Sequence, residues 1–156
     1  MKNHILIIAL FIGLIFPACS KRDNSCTQTI DAAPASEVLV LDEYIAANNI
    51  EAKKDERGFY YKVEALGTGT HPDLCSEIVV NYKGWLTNNV TFDQGENASF
   101  DLNGLIAGWQ AGIPLIARGG RIILYLPPSL GYGSTATNGI PANSILIFSI
   151  DLVKIK

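Results

Sequence analysis

The chain has 156 residues, a length that suits one compact domain with short additions. Hydrophobic residues make up 48% of it and charged residues 17%, which is typical of a folded protein and excludes a disordered chain. The net charge of −3 and the absence of a basic stripe argue against a nucleic-acid partner, because phosphate binding needs clustered Lys and Arg.

The first 18 residues have the pattern of an export signal and are set aside from the fold. Lys2 gives a positive start, and the apolar run Ile5–Phe16 is shorter than the roughly 20 residues that a membrane-spanning helix needs. Ala18-Cys19 at its end resembles a bacterial lipobox. This predicts lipidation of Cys19 and a protein anchored by that lipid to a bacterial membrane, at the periplasmic face or the cell surface. Ordinary signal cleavage near Ala18 is the alternative.

The remaining cysteines and histidines do not suggest a metal site. A lipidated Cys19 leaves Cys26 and Cys75, which in an oxidising compartment either form a disulfide or stay as two thiols. The only histidines are His4 and His71, and no Cys-x-x-Cys pair exists. No glycine-rich phosphate loop and no Ser/His/Asp set are present, so we predict neither a metal nor a cofactor.

A polar tether and a short helix are predicted before the main domain. Residues 19–36 are polar and read as the tether. Glu37–Asn48 carries apolar residues at helical spacing, with Ser36 as its predicted N-cap, and the helix with its linker fills 37–57. Such a helix docks on the domain or forms an interface with another protein. Docking is the simpler interpretation.

From residue 58 to 156 the pattern changes to alternating strands and turns. Asn88-Asn89 suits a tight hairpin turn, because Asn tolerates a positive φ. One helix is predicted over Leu105–Ile113, and it should end near Pro114. The predicted strands are Phe59–Leu66, Glu77–Leu86, a return strand in two parts (Val90–Asp93 and Ala98–Leu102), Arg121–Leu126 and Ser144–Lys154, with a long loop over Pro127–Ala142.

These elements predict an α+β fold. A sheet with one apolar face must bury that face, and the Leu105–Ile113 helix is the available cover. We therefore expect a strongly curved antiparallel sheet wrapped around one short helix, with Trp109 where the two meet and a further helix at the N-terminus.

Several short motifs follow one another through the second half of the chain. They are VVNYKGWL (79–86), TFD (91–93), FDLNGLIAGWQAG (100–112), GGR (119–121), LPP (126–128), LGYG (130–133), IPAN (140–143) and LIF (146–148). In this order and at these spacings they resemble the signature blocks of FKBP-type peptidyl-prolyl cis-trans isomerases. The resemblance covers about residues 59–156 and implies the family fold, which agrees with the sheet and helix predicted from the pattern.

The resemblance also implies a pocket between helix and sheet. Trp109 would be its floor and receive the proline ring, and Tyr132 would donate a hydrogen bond to a substrate carbonyl. The backbone N–H of Ile106 would bind a second carbonyl, and Asp93 would be the carboxylate at the pocket edge. The other residues that would contact substrate are Tyr82, Phe92, Phe100, Leu105, Ile140 and Phe148, with Ile106 itself.

The implied function is isomerisation of X-Pro bonds in exported polypeptides, with macrolides as expected inhibitors. Two alternatives stay open. The first is a module or chaperone that binds proline-containing segments without turning them. The second is a component of a cell-envelope assembly that uses the helix at 37–48 as its interface.

Overall fold

The computed structural model describes residues 30–156. The predicted signal 1–18, the lipidation site Cys19, the first part of the tether and Cys26 lie outside the described residues. Cys75 is disulfide-bonded, and its partner is not among residues 30–156. The pairing of Cys26 with Cys75 therefore stays a prediction. In the described part of the chain, no helix is long and apolar enough to cross a membrane.

Within residues 30–156, six strands form one antiparallel sheet, in the order β1-β2-β5-β6-β3-β4. Two α-helices accompany it in this part of the chain, and 3-10 turns occupy Leu102–Gly104, Ile113–Leu115 and Pro128–Leu130. The elements are α1 (Ala35–Ala47), β1 (Lys53–Lys54), β2 (Tyr60–Ala65), β3 (Glu77–Leu86), β4 (Thr91–Asp101), α2 (Ala107–Gly112), β5 (Arg121–Leu126) and β6 (Leu146–Ile155). The predicted fold class is confirmed.

The return strand is continuous, not divided as predicted. β4 runs from Thr91 to Asp101 through Gly95 and remains paired with β3. Val80 pairs with Ala98 and Tyr82 with Gly95, so β4 carries one more residue than β3 over this stretch. This extra residue is a β-bulge, which accommodates a glycine-containing stretch without ending the strand.

Both helices differ from the prediction at their ends. The predicted cap Ser36 is wrong: α1 begins at Ala35, and Pro34 precedes it without a side-chain cap. The Pro34 carbonyl instead accepts the N–H groups of Glu37 and Val38. α2 is shorter than Leu105–Ile113, because Ile106 is still extended (φ −60°, ψ 148°) and the chain tightens into a 3-10 turn beyond Gly112.

One face of the sheet packs on α2. The core between them contains Ile78, Val80, Ile122, Leu124 and Leu126, each fully buried. Gly108 and Gly112 lie one turn apart on α2. A Cβ added to either would come within 2.4 Å or 2.6 Å of a leucine methyl of β5. The two glycines therefore let α2 approach β5 closely enough to place Trp109 beside the sheet.

The opposite face of the sheet is covered by α1. Leu41 and Ile45 are buried there against Tyr125 and Ile147. Residues on one side of a strand alternate with those on the other, so Tyr125 and Ile147 face α1 while Leu124 and Leu126 face α2. The prediction that the N-terminal helix docks on its own domain is confirmed by these contacts.

We expect Leu41→Ala to lower the free energy of unfolding by about 2–5 kcal/mol, because it leaves a cavity under α1. Leu41 has no exposed surface, whereas Leu39 on the same helix is 59% exposed. Leu39→Ala is therefore the matched control and should change stability by less than about 0.5 kcal/mol. Denaturant unfolding measures both. Equal losses for the two variants would contradict the docking of α1.

Candidate active site

A cavity of about 130 Å³ lies between α2 and the sheet. Its size suits one small ring, since apolar cavities of this order hold a benzene molecule. The sheet contributes Tyr82 of β3, Asp93 and Phe100 of β4, and Phe148 of β6. Leu105 and Ile106, just before α2, and Trp109 on α2 form the helix side. Tyr132 comes from the loop after the third 3-10 turn. The surface of the lining is mostly apolar.

Trp109 lies at the centre of an aromatic cluster. Its ring meets Tyr82 and Phe148 edge to face, with centroids 5.2 Å away in both cases, and Phe100 at 6.1 Å. This geometry is favourable for aromatic pairs and fixes the plane of the indole. The indole is 4% exposed, and its Nε1 has no hydrogen-bond partner within residues 30–156. The cavity floor is therefore rigid and almost without polar contacts.

A hydrogen-bonded pair forms the polar edge of the cavity. The Tyr82 hydroxyl donates to Asp93 Oδ2 at 2.8 Å, and the N–H of Gln94 donates to Asp93 Oδ1 at 2.9 Å. Both carboxylate oxygens of Asp93 are thus held in place. No cluster of three or more metal-ligating side chains is found among the described residues.

The cavity contains two donor groups that a bound peptide could reach. Tyr132 is 43% exposed at the rim. Burial, with a smaller effect from the Asp93 charge, raises its pKa further above neutral pH, and the protonated hydroxyl can donate a hydrogen bond. The N–H of Ile106 makes no hydrogen bond within residues 30–156, because Ile106 precedes the first residue of α2 and its carbonyl, not its N–H, takes part in the helix. Together they supply two donors near an apolar floor.

We predict that Tyr82 is a pH-sensitive element of the fold. Burial first, then the hydrogen bond to Asp93, raises its pKa from 10.0 to about 12. The folded state therefore favours the neutral phenol. This stabilisation is complete below pH 10 and is lost as the pH rises towards 12. Tyrosinate absorbance of the wild type minus that of Tyr82→Phe should show one group titrating near 12. A difference curve centred at 10 would contradict the burial of this hydroxyl.

Most of the predicted pocket residues come together in the cavity, but two do not line it. Phe92 lies behind Phe148, edge to face with centroids 5.5 Å apart. Ile140 is buried in the main core. Phe92 thus supports the wall that Phe148 forms, and Ile140 belongs to the core. Alternation along β4 could not distinguish lining from support for Phe92. Ile140 lies in the loop before β6, where no alternation applies.

Two features of the site were not predicted from the sequence. Gln110 on α2 donates from Nε2 to the carbonyls of Leu105 (2.6 Å) and Asn103 (3.2 Å), which secures the segment before the helix. The second is a contact between α1 and the loop that carries Tyr132, described below. The spacing of residues in the sequence indicated neither contact, because both form only when a loop folds back onto a helix.

The fold is an α+β domain in which an antiparallel sheet packs on a short helix, with an aromatic cavity between them. Comparison with known proteins identifies the family. The sequence profile of the FKBP-type peptidyl-prolyl cis-trans isomerases matches residues 69–153. The chain therefore belongs to this family.

Individual relatives agree with this assignment. The FKBP-type peptidyl-prolyl cis-trans isomerase FkpA of Aeromonas hydrophila is 39% identical over 121 residues, which is 74% of this chain and 45% of that protein. The crystal structure of FkpA from Escherichia coli is 38% identical, with a TM-score of 0.71 over 78% of this chain and 60% of that one. A prolyl isomerase structure from Pseudomonas syringae pv. tomato is 25% identical, with a TM-score of 0.69 over 82% and 99%. The chain thus spans less than half the length of the curated FkpA relatives it matches.

Proposed function

We propose that this chain is a peptidyl-prolyl cis-trans isomerase that acts on proline-containing segments of exported polypeptides. The observation that carries the proposal is the cavity itself: an indole floor, aromatic walls and two donors, in a chain that belongs to the isomerase family. Rotation about a peptide bond costs roughly 18–20 kcal/mol because amide resonance is broken, and no bond to the enzyme needs to form. A site without a nucleophile therefore suffices.

The apolar cavity lowers this barrier by favouring the twisted amide. The planar amide is the more polar state, since its resonance separates charge, and it loses more when water is removed. A proline ring seated on Trp109 would bring the X-Pro bond into this environment. The Tyr132 hydroxyl and the Ile106 N–H would bind the flanking carbonyls in the turned conformation. An acceleration of 10³ to 10⁵ needs only about 4–7 kcal/mol of such preference.

Asp93 and Tyr82 give the cavity a fixed edge. The hydrogen bond between them orients both side chains, which line the cavity together with Tyr132. The pKa of Tyr82, raised from 10.0 to about 12, keeps this donor protonated even in alkaline solution, so Asp93 remains bonded. The role of the pair is positioning and electrostatic, because no proton needs to move in the reaction.

A protease-coupled peptide assay tests the proposal directly. The soluble chain from residue 20 should accelerate cis-to-trans conversion of an Ala-Leu-Pro-Phe anilide, and a macrolide that competes for the cavity should abolish the acceleration. Tight binding of the same peptide, seen by tryptophan fluorescence, without acceleration would overturn the enzyme proposal in favour of a binding module.

We also propose that the chain is exported and anchored at the cell envelope through a lipid on Cys19, as the N-terminal pattern indicates. Mass spectrometry of the protein purified from bacterial membranes should find a diacylglyceryl thioether on Cys19, and Cys19→Ser should shift the protein to the soluble fraction. A soluble wild-type protein cleaved after Ala18 and lacking the modification would contradict the anchor.

A preference for basic substrates is expected from the charges around the cavity. The residues that line it include one acidic side chain, Asp93, and no Lys or Arg. Peptides with Lys before the proline should have a kcat/KM about two- to fivefold higher than the same peptides with Glu, because a charge a few ångströms from Asp93 changes the energy by about 1 kcal/mol. The ratio should shrink in high salt and in Asp93→Asn. A ratio that is unchanged in Asp93→Asn would contradict this explanation.

A further inference from the structure

A hydrogen bond joins the N-terminal helix to the loop that carries Tyr132. The backbone N–H of Ser129 donates to Oε2 of Glu37 at 2.8 Å, across 92 positions of sequence. Glu37 lies in the first turn of α1, and Ser129 lies in the 3-10 turn Pro128–Leu130. This turn leads directly into Gly131-Tyr132-Gly133. The contact therefore links the element that follows the tether to one wall of the cavity.

The turn and the loop after it form one hydrogen-bonded unit. The Pro128 carbonyl accepts the N–H groups of both Gly131 (2.9 Å) and Gly133 (2.8 Å), and the Gly133 carbonyl accepts the N–H of Asn143 (2.9 Å). A shift at the start of the turn is therefore transmitted to Tyr132. Because 43% of the Tyr132 side chain is exposed, neighbouring side chains constrain it less than they constrain a core residue, and its backbone must set its position.

α1 is a fixed support for this contact. Its buried face is held on the sheet by Leu41, and Asp42 in the next position accepts hydrogen bonds from Lys54 Nζ (2.7 Å) and the Tyr60 hydroxyl (2.9 Å). Surface ion pairs of this kind contribute little stability, but two partners on Asp42 restrict the rotation of the helix. The carboxylate of Glu37 therefore reaches Ser129 from a defined place.

We propose that Glu37 is a positioning residue of the isomerase site. Its carboxylate holds the N–H of Ser129 and so fixes the turn that aims the Tyr132 hydroxyl at a substrate carbonyl. This inference rests on the proposed function. It assigns to the N-terminal helix a role in setting the geometry of the cavity, in addition to covering the sheet.

Three single variants test the contact. Glu37→Ala removes the acceptor and should lower kcat/KM about three- to tenfold, because the misplaced Tyr132 hydroxyl would lose the single hydrogen bond that it makes to substrate. Glu37→Gln keeps an oxygen acceptor and should recover most of the activity. Glu43→Ala is the matched control, because Glu43 is exposed on the same helix and its side chain makes no hydrogen bond within residues 30–156. It should leave kcat/KM unchanged.

A double-mutant cycle separates positioning of Tyr132 from general loss of stability. If Glu37 acts through the Tyr132 hydroxyl, Glu37→Ala should have little further effect in a Tyr132→Phe background. An equal factor in both backgrounds, or full activity of Glu37→Ala in the wild-type background, would overturn the proposal.

Amide hydrogen exchange supplies a readout that does not depend on catalysis. Exchange at Ser129 and through 131–133 should accelerate in Glu37→Ala and not in Glu43→Ala. If Glu37→Ala accelerates exchange but the wild type has no isomerase activity, the proposed function is wrong, whereas the Glu37–Ser129 contact still holds the loop in place. Unchanged exchange in Glu37→Ala would overturn the positioning role itself.

Discussion

Trp109→Ala should both destabilise the domain and remove its activity. The indole is almost fully buried and contacts three aromatic rings, and replacing such a residue by alanine costs about 3–5 kcal/mol of unfolding free energy. The same change removes the floor on which the proline ring would rest. We expect kcat/KM of the folded fraction to fall at least about tenfold, which corresponds to about 1.4 kcal/mol of lost transition-state stabilisation. Urea unfolding and the coupled peptide assay measure the two effects.

Two further variants distinguish the role of Trp109 as the cavity floor from its contribution to the stability of the core. Trp109→Phe keeps an aromatic ring and removes the indole N–H, which has no partner within residues 30–156, so it should cost less stability than the alanine change. Trp85→Phe is the control, because Trp85 packs with α1 on the other face of the sheet. It should leave kcat/KM at the wild-type value. Wild-type activity in Trp109→Ala would exclude the indole as the binding floor.

Gly108→Val should lift α2 away from β5. A Cβ at this position would lie 2.4 Å from Cδ1 and 2.9 Å from Cγ of Leu126, which is fully buried and has no space to retreat. Overpacking of this kind costs about 1–3 kcal/mol. Because Trp109 is the next residue on the helix, displacement of α2 would also open the cavity, and kcat/KM should fall even where the protein is fully folded.

Gly104→Val is the matched control for this change. Gly104 lies in the 3-10 turn just before α2, and a Cβ there meets no atom within 4 Å. Both stability and activity should stay close to wild type. Equal losses in the two variants would show that the close approach of α2 to β5 is not what Gly108 provides.

The sheet and its turns could be predicted from the sequence because they depend on local patterns. β3 and β6 follow a period of two over much of their length, and the hairpin turn between β3 and β4 includes Asn88 and Asn89, with Asn89 at φ 64°. Trp109 could be placed between helix and sheet because the apolar face of the sheet must be buried, and the helix that carries Trp109 was the element available to bury it. The continuous β4 could not be predicted, since a bulge and a central glycine imitate a break between two strands.

The cap of α1 was also outside the reach of sequence patterns. Pro34 takes that position through its backbone alone: its carbonyl accepts the first helical N–H groups, and no side chain caps the helix. A pattern that looks for capping side chains selects Ser36 instead. The same limit applies to Phe92, which shares the alternation of pocket residues along β4 but lies behind Phe148. Ile140 lies in a loop, where no periodicity indicates which way a side chain points.

The sequence by itself determined the antiparallel strands, the short helix at Trp109 and the set of aromatic residues from which the cavity is built. Only the tertiary structure decided which of these residues line the cavity, how closely α2 approaches β5 through Gly108 and Gly112, and that Glu37 reaches Ser129 across 92 positions. The physical reason is range. Hydrophobic periodicity and turn preference depend only on residues that are close together in the sequence. Close packing and backbone contacts between distant segments depend on how the whole chain is folded.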